Sequence, residues 1–241
     1  MHKNNPTIVL VHGAWADASS WTGLIQRLQK AGHDVIAPPN TLRGVTADSA
    51  VIRTLLDTIE GPVVLVAHSY GGAVISNVDA DAGEIAGLVS ANGFAPEPGE
   101  NCFQLAAMFP GSMLGEETAR PVSRSDGTTD LYIAPDSFHD IFCQDVPAPQ
   151  AALMAATQRP ATQEALVEPS GERPLWKHVP SWFLIGEEDR IIPAALQHYM
   201  AKRAGARRTM EIPGASHAVP VAHPEATAHL ILEAAALHVA A

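Results

Sequence analysis

A serine between a short apolar run and two glycines has the surroundings of a nucleophile. The run Val63–Ala67 (VVLVA) leads through HSY, in which Ser69 is the central residue, to Gly71 and Gly72. This order predicts a buried strand, a sharp turn and a helix, and a nucleophile on such a turn needs small neighbours on both sides. The usual pattern is G-x-S-x-G, and Ala67 takes the place of the first glycine. We predict that Ser69 attacks a carbonyl carbon, since a helix N-terminus favours the negative charge that develops there. An ordinary helix N-cap is the alternative.

A second segment, VLVHGAW, ends another apolar run with a loop that offers backbone donors. The oxyanion that forms when a serine attacks a carbonyl group needs two donors about 3 Å away. We predict the backbone N–H groups of Ala14 and Tyr70 as these donors, with Gly13 letting the chain turn close to Ser69. His12 is interpreted as a residue that holds this loop through its ring nitrogens. An ordinary strand-to-loop turn is the alternative.

An acidic group follows a third apolar run, in FLIGEEDRIIP. The strand is predicted to end at Gly186, and Pro193 is predicted to begin the next helix. Asp189, three residues beyond Gly186, would then lie at the mouth of the sheet, where the acid of a Ser-His-Asp arrangement is expected. Glu187 is interpreted as solvated, and Glu188 remains the alternative to Asp189.

One of the 11 histidines occupies the loop after the last predicted strand, in IPGASH. His217 follows the serine and the acid along the chain, an order typical of one architecture that uses such an arrangement. We therefore predict that His217 accepts the proton of Ser69 while Asp189 orients its ring. His223 is the alternative, although its place beside Pro224 indicates the start of the final helix.

The elements that must position these groups follow an alternating pattern. Short apolar runs alternate with segments of helical period, which predicts an α/β fold with a mostly parallel, doubly wound sheet of about six strands. The predicted strands are Thr7–His12, Asp34–Ala37, Val63–Ala67, Ile85–Ala91, Ser181–Ile185 and Arg208–Ile212. The predicted helices of this part are Ser20–Ala31, Thr46–Ile59, Gly71–Ala80, Pro193–Ala204 and Pro224–Val239.

One stretch, residues 95–179, interrupts this alternation. It contains many prolines and glycines, no convincing strand and two plausible helices, Gln104–Phe109 and Gln150–Ala156. Because it is too long for a loop, we predict a helical cap inserted into a core formed by residues 1–94 and 180–241. A second independent domain is the alternative.

Large apolar side chains are concentrated in this stretch. They are Phe103, Met108, Phe109, Met113, Leu114, Phe138, Phe142 and Met154. They suggest an apolar pocket for the acyl or alcohol part of a substrate, and packing of the cap on the core is the alternative. The residues predicted to line the pocket are Trp15, Met108, Phe109, Phe138 and Phe142.

Charge and composition exclude several classes of function. The chain has 241 residues, and its 15 Lys+Arg against 26 Asp+Glu give a net charge of −11, which disfavours nucleic acid as a partner. The sequence shows no basic run for a membrane surface and no apolar segment of membrane-spanning length, so a cytoplasmic location is expected. Cys102 and Cys143 are expected as free thiols, with a disulfide or a catalytic cysteine as alternatives. No metal or organic cofactor is expected, since neither H-E-x-x-H nor a phosphate-binding glycine loop is present.

Together these motifs resemble the α/β-hydrolase superfamily over the whole core. The sequence is most similar to the small esterases grouped with plant methylesterases and hydroxynitrile lyases. They share the HGA opening, a tryptophan nine positions after its histidine (Trp21), the serine elbow and a helical cap. Two positions depart from this pattern. One is Ala67 in the elbow; the other is Ala218, where hydroxynitrile lyases of this group carry a lysine that stabilises cyanide.

The resemblance and the residues predict the same chemistry. We expect a serine hydrolase that cleaves small-molecule carboxylic esters with small or medium apolar parts through an acyl-enzyme. The alternatives on the same residues are cofactor-free perhydrolase or haloperoxidase-type chemistry and cleavage of a C–C or cyanohydrin bond. A ligand receptor with very slow turnover is a further alternative. No oligomeric state is predicted.

Overall fold

The computed structural model describes the backbone of residues 5–239 and the side chains as far as residue 237. The strands of this part are β1 (Thr7–Val11), β2 (Val35–Ile36), β3 (Pro62–His68), β4 (Glu84–Ala91), β5 (Ala119–Ser123), β6 (Thr129–Ile133), β7 (Ala161–Thr162), β8 (Ser181–Gly186) and β9 (Arg208–Ile212). The α-helices are α1 (Thr22–Lys30), α2 (Val45–Leu56), α3 (Tyr70–Ser76), α4 (Cys102–Ala106), α5 (Pro135–Phe142), α6 (Ala148–Thr157), α7 (Gln163–Val167), α8 (Ala194–Arg203), α9 (Val219–Ala222) and α10 (Pro224–Val239). Short 3₁₀ turns cover Ala18–Trp21 and Leu175–Lys177.

Six strands form one parallel sheet in the order β2-β1-β3-β4-β8-β9, which confirms the predicted fold class. Alternate residues of β1 point to opposite faces, as strand geometry requires. Ile8 and Leu10 belong to the apolar cluster that contains α1 and α10, whereas Val9 and Val11 belong to the cluster of α2, α3 and α8. Both faces are therefore covered, which explains why the strands are nearly continuous runs of Val, Ile and Leu.

The register brings the carboxyl ends of neighbouring strands to the same edge. Val11 of β1 lies beside Ala67 of β3, which lies beside Ser90 of β4. Ala91 in turn pairs with Leu184 of β8. The loops that follow β1, β3, β4 and β8 consequently meet at one place, where ligand sites of open α/β sheets are found.

The segment between β4 and β8 contains a small sheet that the sequence analysis did not predict. Strands β5, β6 and β7 form a three-stranded antiparallel sheet, in which Ser123 pairs with Thr129 across a tight turn. The prediction of a stretch without strands was therefore wrong. The side chains of β5 are mostly exposed, and β7 has two residues, so neither strand carries an apolar alternation that could reveal it.

Helices α4 to α7 make up the rest of this segment. The predicted helices Gln104–Phe109 and Gln150–Ala156 correspond to α4 and α6, whereas α5 and α7 were not predicted. Apolar side chains of the segment, including Leu131 and Phe138, share one buried cluster with β1 and β3. The segment thus shares the apolar core on the side of the sheet that carries α2 and α3.

Two further observations concern chemistry outside the core. Cys102 and Cys143 are buried free thiols, as expected. Within residues 5–239, no helix combines the length and apolar character that crossing a bilayer requires.

Candidate active site

Ser69 occupies a strained turn between β3 and α3. Its backbone has φ 55° and ψ −126°, a region that residues with a side chain rarely adopt. A Cβ atom on Gly71 would lie 2.5 Å from the carbonyl oxygen of Val11, and one on Gly72 would lie 2.2 Å from that of Phe94. Both glycines are required because α3 begins in contact with the end of β1 and with the turn after β4.

The turn after β4 holds the strained backbone in place. The N–H of Ser69 donates to the carbonyl of Asn92 at 3.2 Å, and the N–H of Phe94 donates to the carbonyl of Ser69 at 3.1 Å. The N–H of Gly72 donates to the same carbonyl at 2.9 Å. Such surrounding bonds are needed for an unfavourable backbone conformation to persist.

The loop after β1 lies directly against the serine. A Cβ atom on Gly13 would be 2.5 Å from the Cβ of Ser69 and 2.8 Å from the carbonyl oxygen of His68, so a side chain cannot be accommodated. Among the described residues, the backbone N–H groups of Ala14 and Tyr70 find no hydrogen-bond acceptor. Two unused donors therefore flank the residue predicted to generate an oxyanion.

His12 stabilises this loop. Its Nδ1 donates to the carbonyl of Gly13 at 2.9 Å, and its Nε2 accepts the N–H of Asn40 at 3.0 Å. Since Nε2 accepts, the ring is neutral and carries its proton on Nδ1. Burial lowers the pKa of His12, which agrees with a neutral structural residue.

A buried histidine and a buried carboxylate lie at the ends of β9 and β8. Nδ1 of His217 and Oδ2 of Asp189 are 2.8 Å apart, and both side chains are fully buried. Oδ1 of Asp189 accepts the N–H groups of Ile191 and Ile192 at 2.8 and 2.9 Å, while Oδ2 also accepts the Nε2 group of Gln197 at 2.9 Å. Because a carboxylate only accepts hydrogen bonds, Nδ1 of His217 donates to Oδ2 and thereby fixes the orientation of the ring.

The free nitrogen of His217 is enclosed by rings. Its Nε2 atom is buried and has no hydrogen-bond partner among the described residues. The ring lies 4.6 Å from that of His68 and 5.0 Å from that of Phe142, measured between centroids. Burial and the neighbouring His217 hold the pKa of His68 well below its usual value, so His68 is neutral. A buried polar atom without a partner needs an explanation, and a reacting group that binds there would supply one.

The two alternatives named for the acid and the base lie elsewhere. Glu187 and Glu188 are exposed, and the carboxylate of Glu187 accepts the N–H of Gly214. His223 lies before α10, is partly exposed and contacts Asp145 at 3.1 Å.

A small cavity of about 20 Å³ opens beside Ser69. This volume accommodates about one water molecule. Besides Ser69 itself, it is lined by Ala14, Trp15, Tyr70, Phe94, Cys102, Phe103, Ala106, Leu114, Leu166 and Ile191. Burial raises the pKa of the Cys102 thiol, which is thus protonated and not a competing nucleophile.

The structure separates the five residues predicted to line a pocket. Trp15 lines the cavity, and Phe142 packs on the ring of His217. Phe138 stacks behind Phe142 in the core, Phe109 packs on Tyr199, and Met108 is 48% exposed. None of these last three lines the cavity beside Ser69.

Several lining residues were missed. Phe94 lies three residues after the end of β4, and Ile191 lies two residues after the predicted acid, Asp189. Nearness to a strand end or to this acid was the available signal. Leu166 comes from α7, which the sequence analysis did not predict.

A larger groove of about 440 Å³ is also lined by Trp15. The groove is bordered by the loop after β1, by α6 and by α9; its walls include Asp17, Leu153, Met154 and Val221. Trp15 has φ 58°, and its Nε1 donates to the carbonyl of Leu131 at 2.8 Å. Trp15 is thus held in place and lines both the groove and the cavity beside Ser69.

The parallel sheet is covered by helices on both faces, a serine elbow follows its third strand, and a buried His–Asp pair lies at the same edge. These features define a protein of the α/β-hydrolase type. A model of the Alpha/beta hydrolase family matches residues 8–230, and the chain belongs to this family.

Similar proteins include enzymes of more than one activity. A carbendazim hydrolyzing esterase of Nocardioides sp. (strain SG-4G) is 38% identical over 125 residues, which are 46% of this chain and half of that enzyme. An alpha-hydroxynitrile lyase of Arabidopsis thaliana is 24% identical over 90% of this chain and 92% of its own length. The crystal structure of polyneuridine aldehyde esterase has a TM-score of 0.78 and 21% identity, covering 95% of this chain and 98% of that one. These similarities confirm the predicted resemblance and the fold.

Proposed function

We propose that this protein hydrolyses carboxylic esters with Ser69 as nucleophile, His217 as general base and Asp189 as the group that orients His217. The observation that carries the proposal is the fully buried His217–Asp189 pair, with an unused Nε2 nitrogen, at the sheet edge where Ser69 sits on a strained elbow. A buried imidazole oriented by a carboxylate is suited to take a proton from a serine hydroxyl. No hydrogen bond joins Ser69 to Nε2 in this state, and such bonds often tighten when substrate binds.

The reaction proceeds in two stages. Ser69 Oγ attacks the ester carbonyl while its proton moves to Nε2 of His217, and the oxyanion accepts the N–H groups of Ala14 and Tyr70. The C–O bond to the alcohol then breaks, and the alcohol leaves with the proton from His217. A water molecule gives a proton to His217 and attacks the acyl carbon; the bond from that carbon to Ser69 Oγ then breaks, and Oγ takes the proton from His217 as the acid is released.

Hydrolysis is favoured over cyanohydrin cleavage by one residue beside the base. Ala218, which is buried, follows His217 at the place where the resemblance to hydroxynitrile lyases leads us to expect a lysine. An alanine has no cation that could stabilise a cyanide anion. The similarity to a carbendazim hydrolyzing esterase also supports hydrolysis.

The two spaces that Trp15 lines suggest a class of ester. The small cavity is lined by Ser69, Ala14 and Tyr70, so it suits an acyl part as small as acetyl. The larger groove suits the alcohol part, and Asp17 in its wall disfavours anionic alcohols. We propose esters of short, apolar acids with larger, uncharged alcohols.

The test compares two buried serines of the same region. Ser69→Ala should abolish labelling by a fluorophosphonate probe and reduce the hydrolysis of p-nitrophenyl acetate on the order of 10³-fold or more. Ser76→Ala also removes a buried hydroxyl, which donates to the carbonyl of Gly72. This variant should keep the labelling and the hydrolysis. Labelling of the Ser69→Ala variant would place the nucleophile elsewhere. Labelling without measurable turnover of any ester would favour a receptor.

A further inference from the structure

Asn92 lies at the carboxyl end of β4 and has no part in the chemistry described above. It is fully buried and has φ 47°. Asparagine is among the few residues with a side chain that adopt this left-handed conformation readily. A buried amide side chain is costly to the fold unless each of its polar groups has a hydrogen-bond partner.

Two of its hydrogen bonds reach the segment that carries Asp189. The backbone N–H of Asn92 donates to the carbonyl of Leu184 at 2.9 Å, and its Oδ1 accepts the N–H of Gly186 at 2.7 Å. Gly186 ends β8 three residues before Asp189. The amide of Asn92 thus fixes the point at which the acid-bearing loop leaves the sheet.

The other bonds reach the base and the nucleophile. Nδ2 of Asn92 donates to the carbonyls of Ser216 and His217 at 2.9 and 3.1 Å. The carbonyl of His217 also accepts Nε2 of His68 at 2.8 Å. The backbone carbonyl of Asn92 accepts the N–H of Ser69.

We propose that Asn92 is a positioning residue that aligns Ser69, His217 and Asp189 through one buried side chain and its backbone. The inference rests on the proposed function of these three residues. The three segments are far apart in sequence, and Asn92 bonds to each of them directly. Loss of its side chain leaves the N–H of Gly186 and the carbonyl of Ser216 without this partner, so the two loops can shift relative to Ser69. A displacement of about 1 Å in a catalytic group can lower the rate on the order of 10²-fold.

Asn92→Gly tests the proposal because glycine keeps the left-handed backbone and removes the amide alone. Asn77→Gly is the matched control. The Asn77 side chain also has three hydrogen-bond partners, the carbonyl of Ala73, the hydroxyl of Ser170 and the N–H of Gly171, and it bonds to none of Ser69, Asp189 and His217. Both variants should lose a few degrees of melting temperature, more for Asn92→Gly, whose lost hydrogen bonds are buried, than for Asn77→Gly, whose lost hydrogen bonds are part-buried or exposed.

The two variants should differ in turnover. For Asn92→Gly we expect kcat for p-nitrophenyl acetate and the rate of fluorophosphonate labelling to fall about 10- to 100-fold, with KM changed less than about twofold. Asn77→Gly should keep kcat within about twofold of the wild type. Equal kcat values in the two variants would overturn the proposal and leave Asn92 a purely structural residue.

A second variant covers the case in which Asn92→Gly does not fold. Asn92→Asp retains the acceptor for Gly186 but replaces the donor to Ser216 and His217 with a carboxylate oxygen. Its kcat should fall at least as far, and a wild-type value would overturn the proposal. Ser69→Ala is assayed beside these variants: if it still labels, the proposed function fails, whereas a normal Asn92 variant with Ser69-dependent labelling refutes the positioning role alone.

Discussion

Asp189→Asn tests the electrostatic part of the proposed site, because the amide has nearly the same shape as the carboxylate. Asp189 uses both oxygens as acceptors, toward two backbone N–H groups on one side and toward Gln197 and His217 on the other. The amide nitrogen cannot face the two N–H groups without a donor–donor contact, so it is expected to face Gln197 and His217. Nε2 of Gln197 also donates to the carbonyl of Ile192 at 2.7 Å, so Gln197 keeps its orientation and loses its bond to residue 189, whereas Nδ1 of His217 becomes an acceptor.

The consequence for His217 sets the size of the effect. If Nδ1 accepts a hydrogen bond, the ring proton lies on Nε2, and Nε2 can no longer take the proton of Ser69. In the general case of a Ser-His-Asp arrangement, the wrong tautomer lowers kcat about 10⁴-fold. At about 1.36 kcal/mol for each factor of ten, this corresponds to roughly 5.5 kcal/mol of transition-state stabilisation.

The assay measures kcat and KM for p-nitrophenyl acetate together with circular dichroism of each variant. Glu188→Gln makes the same acid-to-amide change one position earlier, at an exposed side chain, and should keep kcat within about twofold. If Asp189→Asn retains a tenth of the wild-type kcat while folded, Asp189 does not orient the base. A loss confined to Glu188→Gln would assign the acid to Glu188.

Three further outcomes are expected. Gly13→Ala should lower kcat on the order of 10²-fold and destabilise the fold by about 1–3 kcal/mol, because its Cβ would lie 2.5 Å from that of the nucleophile. Gly115→Ala, where a Cβ meets no atom within 4 Å, should change neither, and equal kinetics and denaturation midpoints in both variants would contradict the close approach. Phe103→Ala should move the preferred p-nitrophenyl ester to a longer acyl chain, by about 1–3 kcal/mol in relative kcat/KM, because Phe103 lines the cavity beside Ser69. Met108→Ala, at an exposed side chain, should keep the wild-type preference. An unchanged preference in both variants would show that the cavity beside Ser69 does not receive the acyl group. The free energy of unfolding should decrease as the pH falls below about 6.5, with a slope of up to about 1.4 kcal/mol per pH unit. The reason is the lowered pKa of buried His68, because of which the unfolded chain binds a proton that the folded chain does not. Urea unfolding at several pH values should show a shallower decline for His68→Gln, and identical slopes would exclude His68 as the source.

The chain order and the local patterns sufficed to predict the sheet and to nominate Ser69, Asp189 and His217. Ser69 and Asp189 follow strands that are buried on both faces, and such a strand leaves a run of apolar residues that is visible in one segment alone. His217 follows β9, whose side chains are mostly exposed, and was nominated by its place after the serine and the acid along the chain. The serine elbow is likewise a local device: its glycines are needed because α3 begins against β1, and they stand two and three residues after Ser69. The roles of the three residues remain predictions for the assays above.

The lining of the pocket, the small sheet and the hydrogen bonds of Asn92 became visible only in the tertiary structure. Phe103 and Met108 are both apolar residues of the α4 region, and the packing of that helix on α7 decides that Phe103 faces the cavity while Met108 faces solvent. Strand β5 is polar and exposed, so its pairing with β6 depends on backbone bonds that leave no mark in side-chain periodicity. Asn92 bonds to residues that are 94 to 125 positions away, and a partner at such a distance is chosen by the fold and not by any pattern around the asparagine.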